Sequence, residues 1–290
     1  MSKEILDIET ALRLKNFHFR TPSKVRGYKS GIHKSYYNGI SPDFLDHKEY
    51  NTGDEVKQID WRLYGRNDRL YVKKFEDEVN MRWCIMVDKS ASMGYGENAQ
   101  NKLQYAKKLS ATLAYLLLKQ GDSVGLVIFS DDETELIPSR SGSHFITPIL
   151  NMLELVEPSG STGLQEPVLK ALEAYRSDAS FILISDFLMD TESIEKAVKL
   201  IRNSRKELSL FHILHRDETE FNFNGSIEFE DMETSAKVIV DTNSLRHTYR
   251  KKIGDFIEKI KNICHENESR YVLSHTNESI EKALIQIADK

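Results

Sequence analysis

The residues best suited to chemistry in this chain are Asp88, Ser90 and Ser92, which follow the apolar run 83–87 (WCIMV) as Asp88-Lys89-Ser90-Ala91-Ser92. A loop leaving a strand can turn one carboxylate and two hydroxyls of that spacing toward a common point. Hard oxygen donors of this kind suit Mg²⁺ or Mn²⁺. Three ligands do not complete a site, and two further candidates stand where neighbouring strand ends would place them. Thr162 lies in Ser159-Gly160-Ser161-Thr162-Gly163 ahead of a helical stretch, and Asp186 directly follows the run FILIS. Together the five supply oxygen-bearing side chains only. Each also has a plainer reading, because Ser, Thr and Asp cap helices and acids favour a helix N-terminus.

Those residues must be held by a frame, and the chain from about residue 83 onward provides one. Short apolar runs at 83–87, 124–129, 181–184, 208–214 and 271–273 alternate with helical-period stretches at about 100–119, 144–155, 164–176, 192–203, 243–267 and 278–288. That rhythm predicts an α/β fold: a mostly parallel, Rossmann-like central sheet with helices on both faces. The more polar 134–137 suits an edge strand. In such sheets the ligand crevice lies at the carboxyl ends of the strands, which is where Asp88 and Asp186 fall. Residues 217–240, with Asn224-Gly225 and alternating apolar positions, predict a β-hairpin insertion. Residues 1–80 predict a short helix and a small β-rich extension, with 61–63 and 70–72 as strand-like pieces and Trp61 as a buried anchor. The expected domains are therefore 1–80 and 81–290.

Composition narrows the function. The 290 residues carry 40 Lys+Arg against 45 Asp+Glu, a formal charge of −5, so no global basic bias draws the chain to nucleic acid or an anionic membrane. No apolar run reaches the length of a membrane span, and the acidic start MSKEILDIET does not read as a signal peptide, so a cytoplasmic location is expected. Cys84 and Cys264 are the only cysteines and lack zinc-site spacing.

Asp88-x-Ser90-x-Ser92, the segment GDSVGLVIFS at 121–130, the Gly-Ser-Thr162-Gly turn and Ser185-Asp186 resemble the von Willebrand factor A domain with its metal-ion-dependent adhesion site (MIDAS). The resemblance spans about 81–290. The stretch from Ser41-Pro-Asp-Phe through Tyr50-Asn-Thr-Gly-Asp54, Ile59-Asp-Trp-Arg62 and Gly65-Arg66 to Phe75-Glu-Asp-Glu78 is similar to a bacterial subgroup, the domain-of-unknown-function family fifty-eight. It implies binding rather than turnover: Mg²⁺ (or Mn²⁺) held by Asp88, Ser90, Ser92, Thr162 and Asp186 accepts a carboxylate from an acidic protein client. It further implies partnership with a MoxR-type AAA+ ATPase in protein maturation or stress tolerance. The chain has no G-x-x-x-x-G-K-[ST] loop, so ATP chemistry would come from that partner. Two departures stand out. Lys89 is a cation inside the loop that can fold toward the ion, and Ser185-Asp186-Phe187 replaces the family's frequent Thr-Asp-Gly.

Other readings compete. Gly94-Tyr95-Gly96-Glu97-Asn98-Ala99 fits the dinucleotide pattern G-x-G-x-x-A, but six residues separate it from the strand, where the tight turn should follow directly. Ser90 or Ser92 as a hydrolase nucleophile lacks a G-x-S-x-G elbow. Residues 10–42 hold Arg13, Lys15, Arg20, Lys24, Arg26, Lys29 and Lys34 with interleaved tyrosines. Of these, Arg20, Lys24, Arg26, Lys29 and Lys34 are the candidates for contacting an acidic partner, against the alternative of a solvated arm.

Overall fold

The computed structural model describes residues 5–16, 18–19, 44–51, 56, 59–67, 69–75, 81–131, 133–176, 178–233 and 236–289. The chain divides into two units, Met1–Lys24 with Met81–Lys290, and Val25–Asn80. The N-terminal segment thus belongs to the large unit, a correction to the boundary expected at residue 80. Helix α1 (Ile8–Arg13) is capped by Asp7, whose carboxylate accepts the Thr10 N–H. It is followed by strand β1 (His18–Phe19). Ala11, Leu14 and Phe19 are buried in the large unit's core, which is what binds this segment there.

In the smaller unit, β2 (Phe44–Glu49) precedes helix α2 (Trp61–Asn67) and pairs antiparallel with β3 (Tyr71–Phe75). Residues 61–63 are therefore helical, not strand-like as expected. Asp60 decides this, because its carboxylate accepts the Arg62 and Leu63 N–H groups at 3.0 and 3.2 Å and so closes the first helical turn. Trp61 is 59% exposed rather than buried.

The large unit continues with β4 (Arg82–Asp88), α3 (Lys102–Lys119), β5 (Ser123–Phe129), β6 (Thr134–Arg140), α4 (Ile146–Leu155), α5 (Gln165–Ala174), β7 (Ser180–Ser185), α6 (Thr191–Asn203) and β8 (Glu207–Leu214). Then come the short α7 (Arg216–Glu220), β9 (Ser226–Glu230), β10 (Lys237–Asp241), α8 (Thr242–Glu266), β11 (Arg270–His275), α9 (Ile280–Ile285) and β12 (Ala288–Asp289), which pairs with β1. The six-stranded sheet runs β11-β8-β7-β4-β5-β6, parallel except for β6 at one edge. Strand β4 reads as continuously apolar because both faces are covered. Trp83, Ile85 and Val87 enter the core shared with α3, α4 and α9, while Cys84 and Met86 enter the one shared with α5, α6 and α8. This is the Rossmann-like α/β fold the sequence predicts. Since β5 lies on one side of β4 and β7 on the other, the chain's winding reverses at the carboxyl end of β4, opening a crevice there.

The expected hairpin is present, but Asn224-Gly225 is not its turn. Strands β9 and β10 pair from Asp241↔Ser226 to Lys237↔Glu230, and Asp231 N–H donates to the Ala236 carbonyl across the far end. Gly225 stands at the root instead. Its φ of +86° suits glycine, and its carbonyl accepts both the N–H and the hydroxyl of Thr242. Phe221 stacks on Tyr249 and Phe229, with ring centroids 4.4 and 5.7 Å apart, and fixes the same end.

Both cysteines are buried within the fold. Burial pushes the Cys264 thiol up to about 12, and Cys84 higher still. We expect neither to react with a thiol reagent such as Ellman's at pH 8 in the native protein, and both to react in denaturant. Native labelling at the rate of a free thiol would show that the sheet–helix layers open readily.

Candidate metal centre

Strands β4 and β7 lie side by side and end together at the crevice. Asp88, the last residue of β4, is fully buried, and its two oxygens face different partners. Oδ1 accepts the Ser90 N–H at 2.8 Å, and Oδ2 accepts the Ser185 hydroxyl at 2.6 Å. Ser185 in turn accepts the Phe187 N–H at 2.9 Å, so the carboxylate is held rigidly. The next residues fold into a 3-10 turn, Ala91–Gly94, and the Ser90 and Ser92 hydroxyl oxygens come within 3.1 Å of each other. Three loops are laced together here by backbone bonds. Ala91 N–H donates to the Gly160 carbonyl, Ser159 N–H to that of Lys89, and Asp131 N–H to that of Ser161. The loop bearing Thr162 is thereby fixed beside the serines. Lys89 pairs with Glu133 just before β6.

Asp186 is also fully buried. Its Oδ1 accepts the Leu188 N–H at 3.2 Å, and its Oδ2 accepts the ammonium of Lys102 at 2.6 Å. Lys102 is itself buried and donates a second bond to Glu218 Oε1 at 2.7 Å, while Glu218 Oε2 accepts the His215 N–H at 2.6 Å. Burial alone would lower the pKa of Lys102, but Asp186 and Glu218 raise it above the ordinary value. Burial, and then the charge of Asp186, hold the Asp88 carboxyl above the usual carboxylate range. His212 adds no charge, because burial pushes it down to about 4. With the carboxyls ionised, Asp88, Asp186 and Glu218 bring three negative charges to a buried cluster in which Lys102 brings one positive. A divalent cation would cancel the remainder. The donors are all hard oxygens, so the residues fit Mg²⁺ or Mn²⁺. Among the described residues no group of three His, Cys, Asp or Glu side chains is arranged to hold a metal. A cation here must therefore take hydroxyl ligands, as the Ser90–Ser92 pair offers.

Of the five residues singled out by sequence, Asp88, Ser90 and Ser92 are joined by direct hydrogen bonds. Asp186 reaches Asp88 through its field. Thr162 stands on the adjoining loop, its hydroxyl donated to Glu233 Oε1 at 2.9 Å. Sequence reasoning named Ser185 only within the family motif, without a role, and missed Lys102, Glu218 and Glu233. Only Lys102 left a signal, since a cation in the first turn of an 18-residue helix opposes the helix dipole. Arg20, Lys24, Arg26, Lys29 and Lys34 lie outside the described residues. The Gly94–Gly96 segment does not form the single tight turn of a pyrophosphate site. Two 3-10 turns separate β4 from α3, and the Asn101 side-chain amide donates to the Gly94 and Gly96 carbonyls at 2.6 and 3.3 Å.

A family model described as "Protein of unknown function DUF58" matches residues 46–256. The chain belongs to the DUF58 family. An uncharacterised protein of Mycobacterium tuberculosis, Rv1480, is 22% identical to this DUF58 protein over 235 residues, 80% of this chain and 73% of the relative. Among solved structures, an aerotolerance-related membrane protein from Bacteroides fragilis aligns with a TM-score of 0.50 and 16% identity, over 71% of this chain and 98% of that one. The VWA domain of SpRpn10 aligns with a TM-score of 0.46 and 10% identity, over 71% and 94%. The Bacteroides fragilis match agrees with the sheet order on a Rossmann-like α/β fold. No helix among the described residues of the DUF58 protein is long and apolar enough to cross a membrane.

Proposed function

We propose that this DUF58 protein is a non-catalytic interaction module in which a divalent cation, Mg²⁺ or Mn²⁺, held by Asp88, Ser90, Ser92, Thr162 and Asp186, receives a carboxylate from an acidic client protein. The observation that carries the reading is the pair of fully buried carboxyl groups, Asp88 and Asp186, at adjoining strand ends, the first bonded to Ser90 and Ser185 and the second to the Lys102 ammonium. When bound, the ion supplies a Lewis-acidic point for an incoming acid, and neutral hydroxyls leave it enough residual charge to attract one. The chain's own residues prepare that point. Ser185 and the Ser90 N–H fix the Asp88 carboxylate, and Lys102 fixes one oxygen of Asp186. The hydroxyl contact between Ser90 and Ser92 supports a ligand pair. The family resemblance supports a MoxR-type AAA+ ATPase as the source of ATP chemistry, and the proposal places its action in the cytoplasm. In this reading Arg20, Lys24, Arg26, Lys29 and Lys34 offer the acidic partner a second contact.

Thermal unfolding of wild type and Asp88→Asn, with and without millimolar Mg²⁺ or Mn²⁺, tests the reading, with Ca²⁺ and NAD as controls. A metal-dependent rise in wild type that is absent from the variant is expected. A wild type indifferent to both ions, or one stabilised by NAD instead, overturns it.

A further inference from the structure

We propose that the tip of the hairpin, Asp231-Met232-Glu233, is an internal ligand of this centre, a tethered acidic segment that an acidic client must displace. The proposal rests on the reading of the centre as a carboxylate-receiving site. It starts from the bond between the Thr162 hydroxyl and Glu233 Oε1, two residues 71 positions apart. Glu233 puts a carboxylate on one of the five candidate ligands, in the path of a client's acid approaching the centre. A second contact is apolar. The Met232 methyl lies 3.3 Å from where a Cβ on Gly94 would stand, and Pro158 lies 3.1 Å from the same point. The tip thus touches the loop that follows Ser92 and the loop that carries Thr162, one through an apolar side chain and the other through a carboxylate.

The rest of the hairpin is built to hold that tip in place and to release it. At the tip, Asp231 Oδ1 accepts the Glu233 N–H at 2.8 Å, which stiffens the turn. Along the arm, Lys237 spans Glu228 and Glu230 at 2.9 and 3.3 Å. At the root, Thr242 bonds the Gly225 carbonyl, and the rings of Phe221, Phe229 and Tyr249 stack. Yet β9 and β10 form their own two-stranded sheet apart from the six-stranded one. Val238 and Ile239 are 58% and 71% exposed, and Met232 is 45% exposed. An element with so few buried contacts beyond its root opens locally at low cost. A tethered ligand acts at an effective concentration on the order of millimolar, so it keeps weak acids out while yielding to a client that binds better. The apparent affinity for the client falls by the fraction of molecules whose tip is away. The contacts also describe the client: an acidic segment in which an apolar residue directly precedes the carboxylate.

The test measures binding of a fluorescent, end-blocked peptide with the sequence Glu228–Glu233 to the full chain by anisotropy, in Mn²⁺ and in EDTA. Glu233→Gln should bind it at least tenfold more tightly than wild type in Mn²⁺, with the advantage lost in EDTA, and a peptide ending in Gln should not bind. Met232→Ser, which removes the apolar half of the contact, should give a smaller gain in the same direction. A tenfold advantage that persists in EDTA supports the internal ligand while removing the metal from the reading. Equal affinity of wild type and Glu233→Gln in both buffers, or no binding to either, overturns the internal ligand. The Asp88→Asn melting experiment then decides the metal separately.

Discussion

Replacing Lys102 with Met lowers the unfolding free energy by about 3–5 kcal/mol, the cost typical of removing one partner from a buried ion pair. The size follows from what the ammonium touches. It is fully buried and bonds Asp186 at 2.6 Å and Glu218 at 2.7 Å. Without it, two carboxylates face each other with no protein cation between them. Methionine fills much of the same volume, so the loss reads charge rather than a cavity. Two features separate this effect from that of an exposed pair, which is worth at most about 1 kcal/mol. Raising NaCl to half-molar leaves the deficit nearly unchanged, because salt screens buried charges poorly. Adding Mn²⁺ narrows it, since the cation supplies part of the missing positive charge. Urea denaturation of wild type and Lys102→Met in EDTA and in Mn²⁺ measures all of this. A deficit below about 1 kcal/mol would show that the two carboxylates escape to solvent and that the cluster is not sealed.

The same ammonium links the strand ends to the hairpin's root. Glu218 belongs to α7, directly ahead of the hairpin, and accepts the His215 N–H, completing a capping box with the His215 side chain. Disturbing Lys102 therefore loosens the attachment of α7, and with it the lever that carries Glu233 toward Thr162. The centre and its internal ligand share one electrostatic anchor.

The parts of this arrangement that were legible in the sequence are those with local signals. Strands buried on both faces, such as FILIS and VGLVIF, read as unbroken apolar runs, and α3 showed its period in Leu103, Ala106, Ser110, Leu113 and Leu117. Asp88, Ser90 and Ser92 were readable because strand end and loop are contiguous. What stayed hidden depends on partners far along the chain. Lys102 meets Asp186 across 84 residues and Glu218 across 116, and nothing near Glu233 announces Thr162. The errors arose where one side chain overrode propensity. Trp61-Arg62-Leu63 suits a strand until Asp60 caps it into a helix. Asn224-Gly225 has the composition of a hairpin turn, but the Gly225 carbonyl accepts from Thr242, and the strands close at their far end, where Asp231 N–H donates to the Ala236 carbonyl. The N-terminal segment joined the large unit through Ala11, Leu14 and Phe19, with Ile5 and Leu6 packed against the same core, too few apolar positions to show a pattern.

Asp88→Asn should make the protein more stable in EDTA and less responsive to metal, and this opposition of sign tests the centre's chemistry. In wild type without metal, the Asp88 carboxylate is buried near that of Asp186, which costs stability. Asparagine removes the charge, keeps the bond from the Ser90 N–H and reverses the one to Ser185, whose hydroxyl donates to Asp88 in the wild type. Its carbonyl accepts from Ser90, and its amide can donate to the Ser185 oxygen, which accepts one N–H already and has a lone pair to spare. A gain of about 1–2 kcal/mol in EDTA is expected, at the low end of what replacing a buried ionic group by a neutral one has returned. With Mn²⁺ at ~100 times its dissociation constant, wild type gains about 2.7 kcal/mol, a rise of roughly 5–10 °C at about 2–4 °C per kcal/mol. The variant, lacking the anchoring carboxylate, gains nothing, so the order of melting temperatures reverses between the two buffers. Were Asp88 only a cap for the turn after β4, the substitution would keep the cap and give the same stability change in both buffers, and metal would move neither protein. The crossing of the two melting curves therefore distinguishes a site kept at the expense of stability from a loop that merely folds.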